Sequence, residues 1–240
     1  MTFQNKTVLI TGGTGALGHV VAERFIEEGA HVASSYLFED ELKRLSDSFR
    51  SNVFNVRADV TDDEDVAALF QQIQRKFGQI DILVNIVGGF LPATPVRSVK
   101  TKDWDLMMSV NLKSVFLCSR QFLQQIGDRK FGRIISMAAL PAFRPSAGRA
   151  PYAVSKAGIW MLARNLAAEW APHVRVNTVS PGMVNGPSFT ELPSEVRSNM
   201  EKFWNAACPL KKLVGRLDHG QELNRARGDM CPLASVFSRL

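Results

Sequence analysis

The 240-residue sequence predicts an α/β protein in three layers, a doubly wound parallel sheet with helices on both faces. Two observations predict it. Short strand-like runs alternate with helical stretches from residue 7 to residue 179, and such alternation builds parallel sheets covered on both sides. Apolar residues make up 45% of the chain, enough for one sizeable core.

The first strand is "TVLI" (7–10), which ends in glycines. After them Leu17, Val21 and Phe25 recur four apart, the spacing of one helix face. Gly29 stops that helix, and "HVASS" (31–35) is the second strand. "VFNVR" (53–57) is the third, followed by Thr61-Asp62-Asp63-Glu64, a capping box for the next helix. That helix sets Val66, Leu69, Phe70, Ile73 and Phe77 on one face. "IDILVN" (80–85), "RIISM" (133–137) and "VRVNTV" (174–179) complete six strands, with helices near 103–126 and 152–170 between them.

Ligands of such sheets bind beyond the carboxyl ends of the strands, where strand order reverses. The motifs of this chain fall there. "TGGTGALG" (11–18) lies between the first strand and its helix, with Gly12, Gly15 and Gly18 three apart. Glycines at that spacing either close a turn or let backbone approach a pyrophosphate at a helix N-terminus. Asp59 and Val60 follow the third strand, and Asn85 ends the fourth before Gly88 and Gly89. Tyr152 and Lys156 stand one helical turn apart, so a lysine charge favours the phenolate of a tyrosine that titrates near ~10 when free.

Over residues 5 to about 190 these motifs, in this order, resemble those of a classical short-chain dehydrogenase/reductase. "TGGTGALG" is similar to that family's cofactor turn, with Leu17 inside it and Ala16 where the middle glycine usually stands. The resemblance makes Asp59 and Val60 the adenine-contacting pair, and "NIVG" (85–88) a loose form of Asn-Asn-Ala-Gly. It makes Asn111 in "VNLKSVF" the holder of a proton-relay water, and "YAVSK" (152–156) the catalytic Tyr-x-x-x-Lys. "SPGMV" (180–184) resembles the loop that meets the nicotinamide, through Pro181, Gly182 and Val184. It implies a Rossmann-type fold, an NAD(P) cofactor, a small-molecule substrate and a homo-oligomer, dimer or tetramer, formed through the helices at 103–126 and 152–170. Tyr152 would then be the general acid/base, assisted by Lys156 and Asn111, in hydride transfer to a carbonyl or imine-like carbon.

Three departures qualify the match. The family's serine, about thirteen residues before the tyrosine, is Ala139 here; Ser136 alternates to the other side of its strand, and Ser146 lies in the following loop. Dihydropteridine reductases similarly work with Tyr and Lys and no serine. Arg144 and Arg149 in that loop are either solvated or contacts for an anionic substrate. Tyr36 stands where NAD-preferring relatives carry an acid, with Leu37 after it and Glu39 and Asp40 the nearest acids; the lack of the acid leans toward NADP. From 208 onward, "CPLKKLVG" and the residues after it show neither clear periodicity nor closing glycines. We therefore expect a main domain over 1–207, an atypical basic tail over 208–240, and no assured seventh strand.

The alternative is a dinucleotide-binding protein with little or no catalysis, favoured by Ala139 and the tail. Other classes fare worse. Half of the formal surplus of +6 sits beyond residue 208, a solvated tail rather than a basic face with interleaved aromatics, so no nucleic-acid partner is expected. No stretch reaches the roughly 18 apolar residues of a membrane span, and the N-terminal apolar run is too short for a secretory signal. Cys118, Cys208 and Cys231 share no close spacing, so neither disulfides nor a metal is expected. A cytoplasmic protein is the expectation.

Overall fold

A computed structural model describes residues 3–181, 193–195 and 197–198. The chain divides into two units, Met1–Val179 and Ser180–Leu240, and the sheet belongs to the first. The expected boundary at 207/208 and the tail lie outside the described residues.

Six strands form one sheet: β1 (Thr7–Thr11), β2 (His31–Tyr36), β3 (Val53–Arg57), β4 (Ile82–Asn85), β5 (Gly132–Met137) and β6 (Val174–Val179). They run parallel in the order β3-β2-β1-β4-β5-β6. Leu9 of β1 is registered between Ala33 of β2 and Leu83 of β4. The chain builds outward to one side from β1 and to the other from β4, so the reversal of strand order lies between these two.

The helices are α1 (Gly18–Glu27), α2 (Glu39–Lys43), α3 (Asp47–Asn52), α4 (Asp63–Phe77), α5 (Thr101–Met107), α6 (Ser114–Ile126) and α7 (Ala150–Trp170). Leu9, Leu83 and Ile134 of the sheet bury with Leu69, Phe70 and Ile73 of α4 and Leu117, Phe122 and Ile126 of α6. Strand alternation turns Val8 and Ile10 to the opposite face, where α1 contacts β1 and β2 and α7 contacts β5 and β6. Right-handed crossovers require this division of helices between the faces.

Three details differ from the sequence reading. Thr61 does not cap α4: its N–H and hydroxyl both donate to Asp59 Oδ1 (2.9 and 2.7 Å). Asp62 is the cap instead, accepting from the N–H groups of Glu64 and Asp65 at 2.9 and 3.0 Å, because its carboxylate reaches both orphan donors. β4 begins at Ile82, since Asp81 Oδ2 accepts the N–H of Thr7 at 3.0 Å and holds the strand's entry by side chain. The single helix expected over 103–126 is interrupted by a π-helical turn over Met108–Lys113, which carries Asn111. Such turns insert a residue and re-aim side chains.

Candidate active site

The ends of β1 and β4 are tied together by Thr11, whose Oγ1 accepts from the N–H groups of Ile86 and Val87 at 3.0 and 3.3 Å. From this edge the glycine turn leads into α1. Gly12 has a φ of +68°, a conformation L side chains rarely adopt. Its N–H donates to Ser35 O and Ser35 Oγ (3.1 and 3.2 Å), seating the turn on β2. Gly15 donates back to Gly12 O at 3.1 Å, and a Cβ on Gly18 would collide with that same oxygen. Leu17 precedes α1 without a side-chain cap, and although the N–H of His19 is taken by Gly15 O at 3.1 Å, Gly12, Gly15 and Gly18 leave the backbone of the turn bare for close approach. The cradle therefore fits a pyrophosphate.

A second group converges on Gly88. A Cβ placed there would lie 2.8 Å from Asn111 Oδ1 and 3.1 Å from Lys156 Nζ. Asn111 is fully buried; it accepts from Gly89 N at 2.9 Å and donates to Gly89 O and Ser155 Oγ, both at 3.1 Å. Ser155 in turn donates to the carbonyl of Tyr152 at 2.8 Å. Asn111 thus braces the exit of β4 against the first turn of α7. Lys156 is 5% exposed, and its Nζ donates to Met137 O, at the end of β5, at 2.8 Å. Burial pushes its ammonium down to about 8.

Tyr152 sits in the first turn of α7, with Lys156 Nζ 5.9 Å from its ring centre. Burial raises the phenol pKa, and Arg149 pulls it back. A cavity of about 240 Å³ opens beside it, with Leu91, Val99, Asp103, Met107 and Arg149 among its walls. Ala139 is buried at the end of β5. Ser136 Oγ is taken by Asn85 Nδ2 (3.1 Å) inside the sheet, and Ser146 is exposed on the loop. Neither replaces the hydroxyl absent at 139 among the described residues.

The sequence pattern of the family described as short chain dehydrogenase matches residues 6–197. The chain belongs to that family. Its sequence is 36% identical over 194 residues to 3beta-hydroxysteroid dehydrogenase 1 of Eggerthella lenta, covering 78% of this chain and 74% of that protein. It is 30% identical over 227 residues to the 3-oxoacyl-acyl-carrier-protein reductase of Salmonella typhimurium, covering 94% and 89%. The structure of ElxO with NADP bound superimposes with a TM-score of 0.80 at 28% identity, over 89% of this chain and 87% of that one. This short chain dehydrogenase is accordingly an oxidoreductase, of a family that uses NAD(P).

The fold of this short chain dehydrogenase brings Gly12, Gly15, Gly18, Asn111, Tyr152 and Lys156 to one edge of the sheet. Asp59 and Val60 stand past β3; Asp59 holds Thr61, and its N–H donates to Asp65 Oδ2 at 2.8 Å. The Asn85 side chain points into the sheet, donating to Ser136 and, at 3.5 Å, to Ser119. Pro181 belongs to the second unit, and Gly182 and Val184 lie outside the described residues. Two residues escaped the sequence reading. Ser155 carries no motif of its own. Glu41, on α2, accepts from Thr14 Oγ1 in the glycine turn at 2.6 Å. Its distance of 23 residues from Gly18, near the ~20 at which an acid meets a ribose hydroxyl, was the available signal.

Proposed function

We propose that the protein transfers hydride between NAD(P) and a small carbonyl, alcohol or imine-like compound, with Tyr152 as general acid/base. The observation that carries this is the placement of Tyr152 at a cavity, with buried Lys156 one turn along α7. A bound nicotinamide supplies the hydride. The rest is done by the chain. Tyr152 gives its proton to the substrate oxygen or nitrogen. Because burial raises the phenol pKa even against the pull of Arg149, the Lys156 ammonium is needed to make the proton leave at neutral pH. Asn111, through Ser155 and Gly89, fixes where both stand, and supports the relay to solvent implied by the family resemblance.

The glycine turn would hold the pyrophosphate, Asp59 and Val60 the adenine, and Pro181, Gly182 and Val184 the nicotinamide. Tyr36 in place of an acid, and the NADP held by ElxO, support acceptance of a 2′-phosphate. Glu41 opposes it. Its carboxylate is bound to the turn itself, and a phosphate placed beside it meets like charge. On this contact we place the preference with NAD(H).

The 3beta-hydroxysteroid and 3-oxoacyl-acyl-carrier-protein substrates named for the relatives share no shape, so this chain's own walls decide. Ala139 removes a hydrogen-bond donor to the substrate oxygen. That favours imine-like or quinonoid substrates, which need less polarisation, as in dihydropteridine reductases. Oxidation of NADH and NADPH by purified protein against ketones, quinones and pterins tests the reading; no oxidation with any of them would defeat it.

A homo-oligomer through α6 and α7 is supported by Phe116 and Met161, which are 43% and 50% exposed on those helices. Apolar faces of this kind bury against a second copy. Phe116→Asp should lower the mass measured by light scattering to that of the monomer; an unchanged mass would place the interface elsewhere.

A further inference from the structure

The fold separates the two arginines of the loop between β5 and α7. Arg144 is exposed, whereas Arg149 lines the cavity that holds Tyr152. Among the described residues one of its five N–H donors is used, Nη1 donating to Leu91 O at 2.8 Å. The guanidinium lies 6.0 Å from the centre of the Phe90 ring. Among the described residues no carboxylate is within ion-pairing distance of it. The walls between Arg149 and α5 are largely apolar, from Leu91, Val99, Met107 and Pro151. A half-buried cation with free donors facing an apolar chamber is completed by an anion that brings its own apolar body. A planar guanidinium takes a carboxylate through two parallel hydrogen bonds. Asp103 borders the same cavity, and its charge repels a second carboxylate while leaving an acceptor for a hydroxyl.

We propose that this cavity takes a small organic monocarboxylate, its carboxylate on Arg149 and its oxo or hydroxyl carbon at Tyr152. The proposal rests on the oxidoreductase reading above and names its substrate class. An oxo acid, held by Arg149 but reduced more slowly for want of a hydroxyl at 139, would gain a hydride at its carbonyl carbon from the reduced nicotinamide, and a proton at its oxygen from Tyr152, to become the hydroxy acid. The nicotinamide is left oxidised, and Tyr152 recovers its proton from solvent.

The test uses the whole chain with saturating NADH or NADPH. Straight-chain oxo acids from 3-oxobutanoate to 6-oxoheptanoate are compared with their methyl esters. The acid is expected to exceed its ester in kcat/KM by roughly 10- to 100-fold, the worth of hydrogen bonds to a charged group, mainly through KM. Arg149→Met should collapse that ratio toward unity, and Arg149→Lys should keep part of it. A ratio near unity in the wild type would overturn the proposal. So would an equal loss of acid and ester turnover in Arg149→Met, which would mean that the arginine only clamps Leu91. A second arm separates this proposal from the reading beneath it. Cyclohexanecarboxylate, but not cyclohexylmethanol, should raise the melting temperature of the cofactor-loaded wild type and not of Arg149→Met. That shift without turnover of any compound would keep the carboxylate site and sink the hydride-transfer reading; no carboxylate-dependent shift and no turnover would sink the site.

Discussion

Lys156 Nζ and the carbonyl oxygen of Met137 are 2.8 Å apart, joining the second turn of α7 to the end of β5. This contact holds an ammonium that is 5% exposed in position behind Tyr152. Burial, against this bond, leaves a lysine that is poised rather than permanently charged.

The first prediction concerns that charge. Burial lowers Lys156 from 10.5 to about 8. Between these values the unfolded chain binds the proton and the folded chain does not, so this group's contribution to stability rises with pH across that window. Below pH 8 the cost of the buried charge is fully present. Competitive acetylation of the cofactor-free protein should show Lys156 titrating near 8, far below exposed lysines. A midpoint near 10 would mean that the site is wetter than its burial indicates.

Tyr152→Phe leaves the cavity wall and removes the transferable proton. Turnover should fall by roughly 10²–10⁴, the worth of general acid catalysis, while cofactor affinity measured by fluorescence titration persists. Undiminished turnover on an accepted substrate would remove Tyr152 from the mechanism.

Ala139→Ser restores a donor at the end of β5. One such donor is worth roughly 10²–10³ in rate on a substrate whose oxygen becomes negative. Ketone reduction should rise by up to that factor, and reduction of an iminium or quinonoid compound by much less. An equal change in both would show that the hydroxyl does not reach the reacting oxygen.

Glu41→Gln keeps a hydrogen-bonding side chain opposite Thr14 and deletes the charge. Affinity for NADP(H) should rise by roughly tenfold, the effect of relieving ~1.4 kcal/mol of like-charge repulsion, with NAD(H) affinity little changed. Parallel changes for both cofactors would assign Glu41 to holding the turn. Preference of the wild type for NADP(H) would return the weight to Tyr36 and to Arg57, its register partner on β3.

Much of this protein was legible in its sequence because the signals are local. Each strand except β2 carries two or more β-branched residues, α4 carries its own period, and Gly12, Tyr152 and Lys156 stand in motifs whose spacing is set within one turn or one helix. Local steric and periodic preferences act on neighbours along the chain, so residue order suffices to read them. The rest depended on packing. Asn111 meets Gly89 and Ser155 across 22 and 44 residues, and only a π-helical turn aims it there. Lys156 finds Met137, 19 residues away. Arg149 faces Tyr152 while Arg144 faces solvent, although both occupy one loop of unremarkable composition. Glu41 reaches Thr14 from a five-residue helix that no periodicity announces. Hydrogen bonds and charge act through space, over a few ångströms, between atoms that only the closed sheet brings together. The order of residues determined which chemistry is present, and the tertiary structure decided which charges stand beside it.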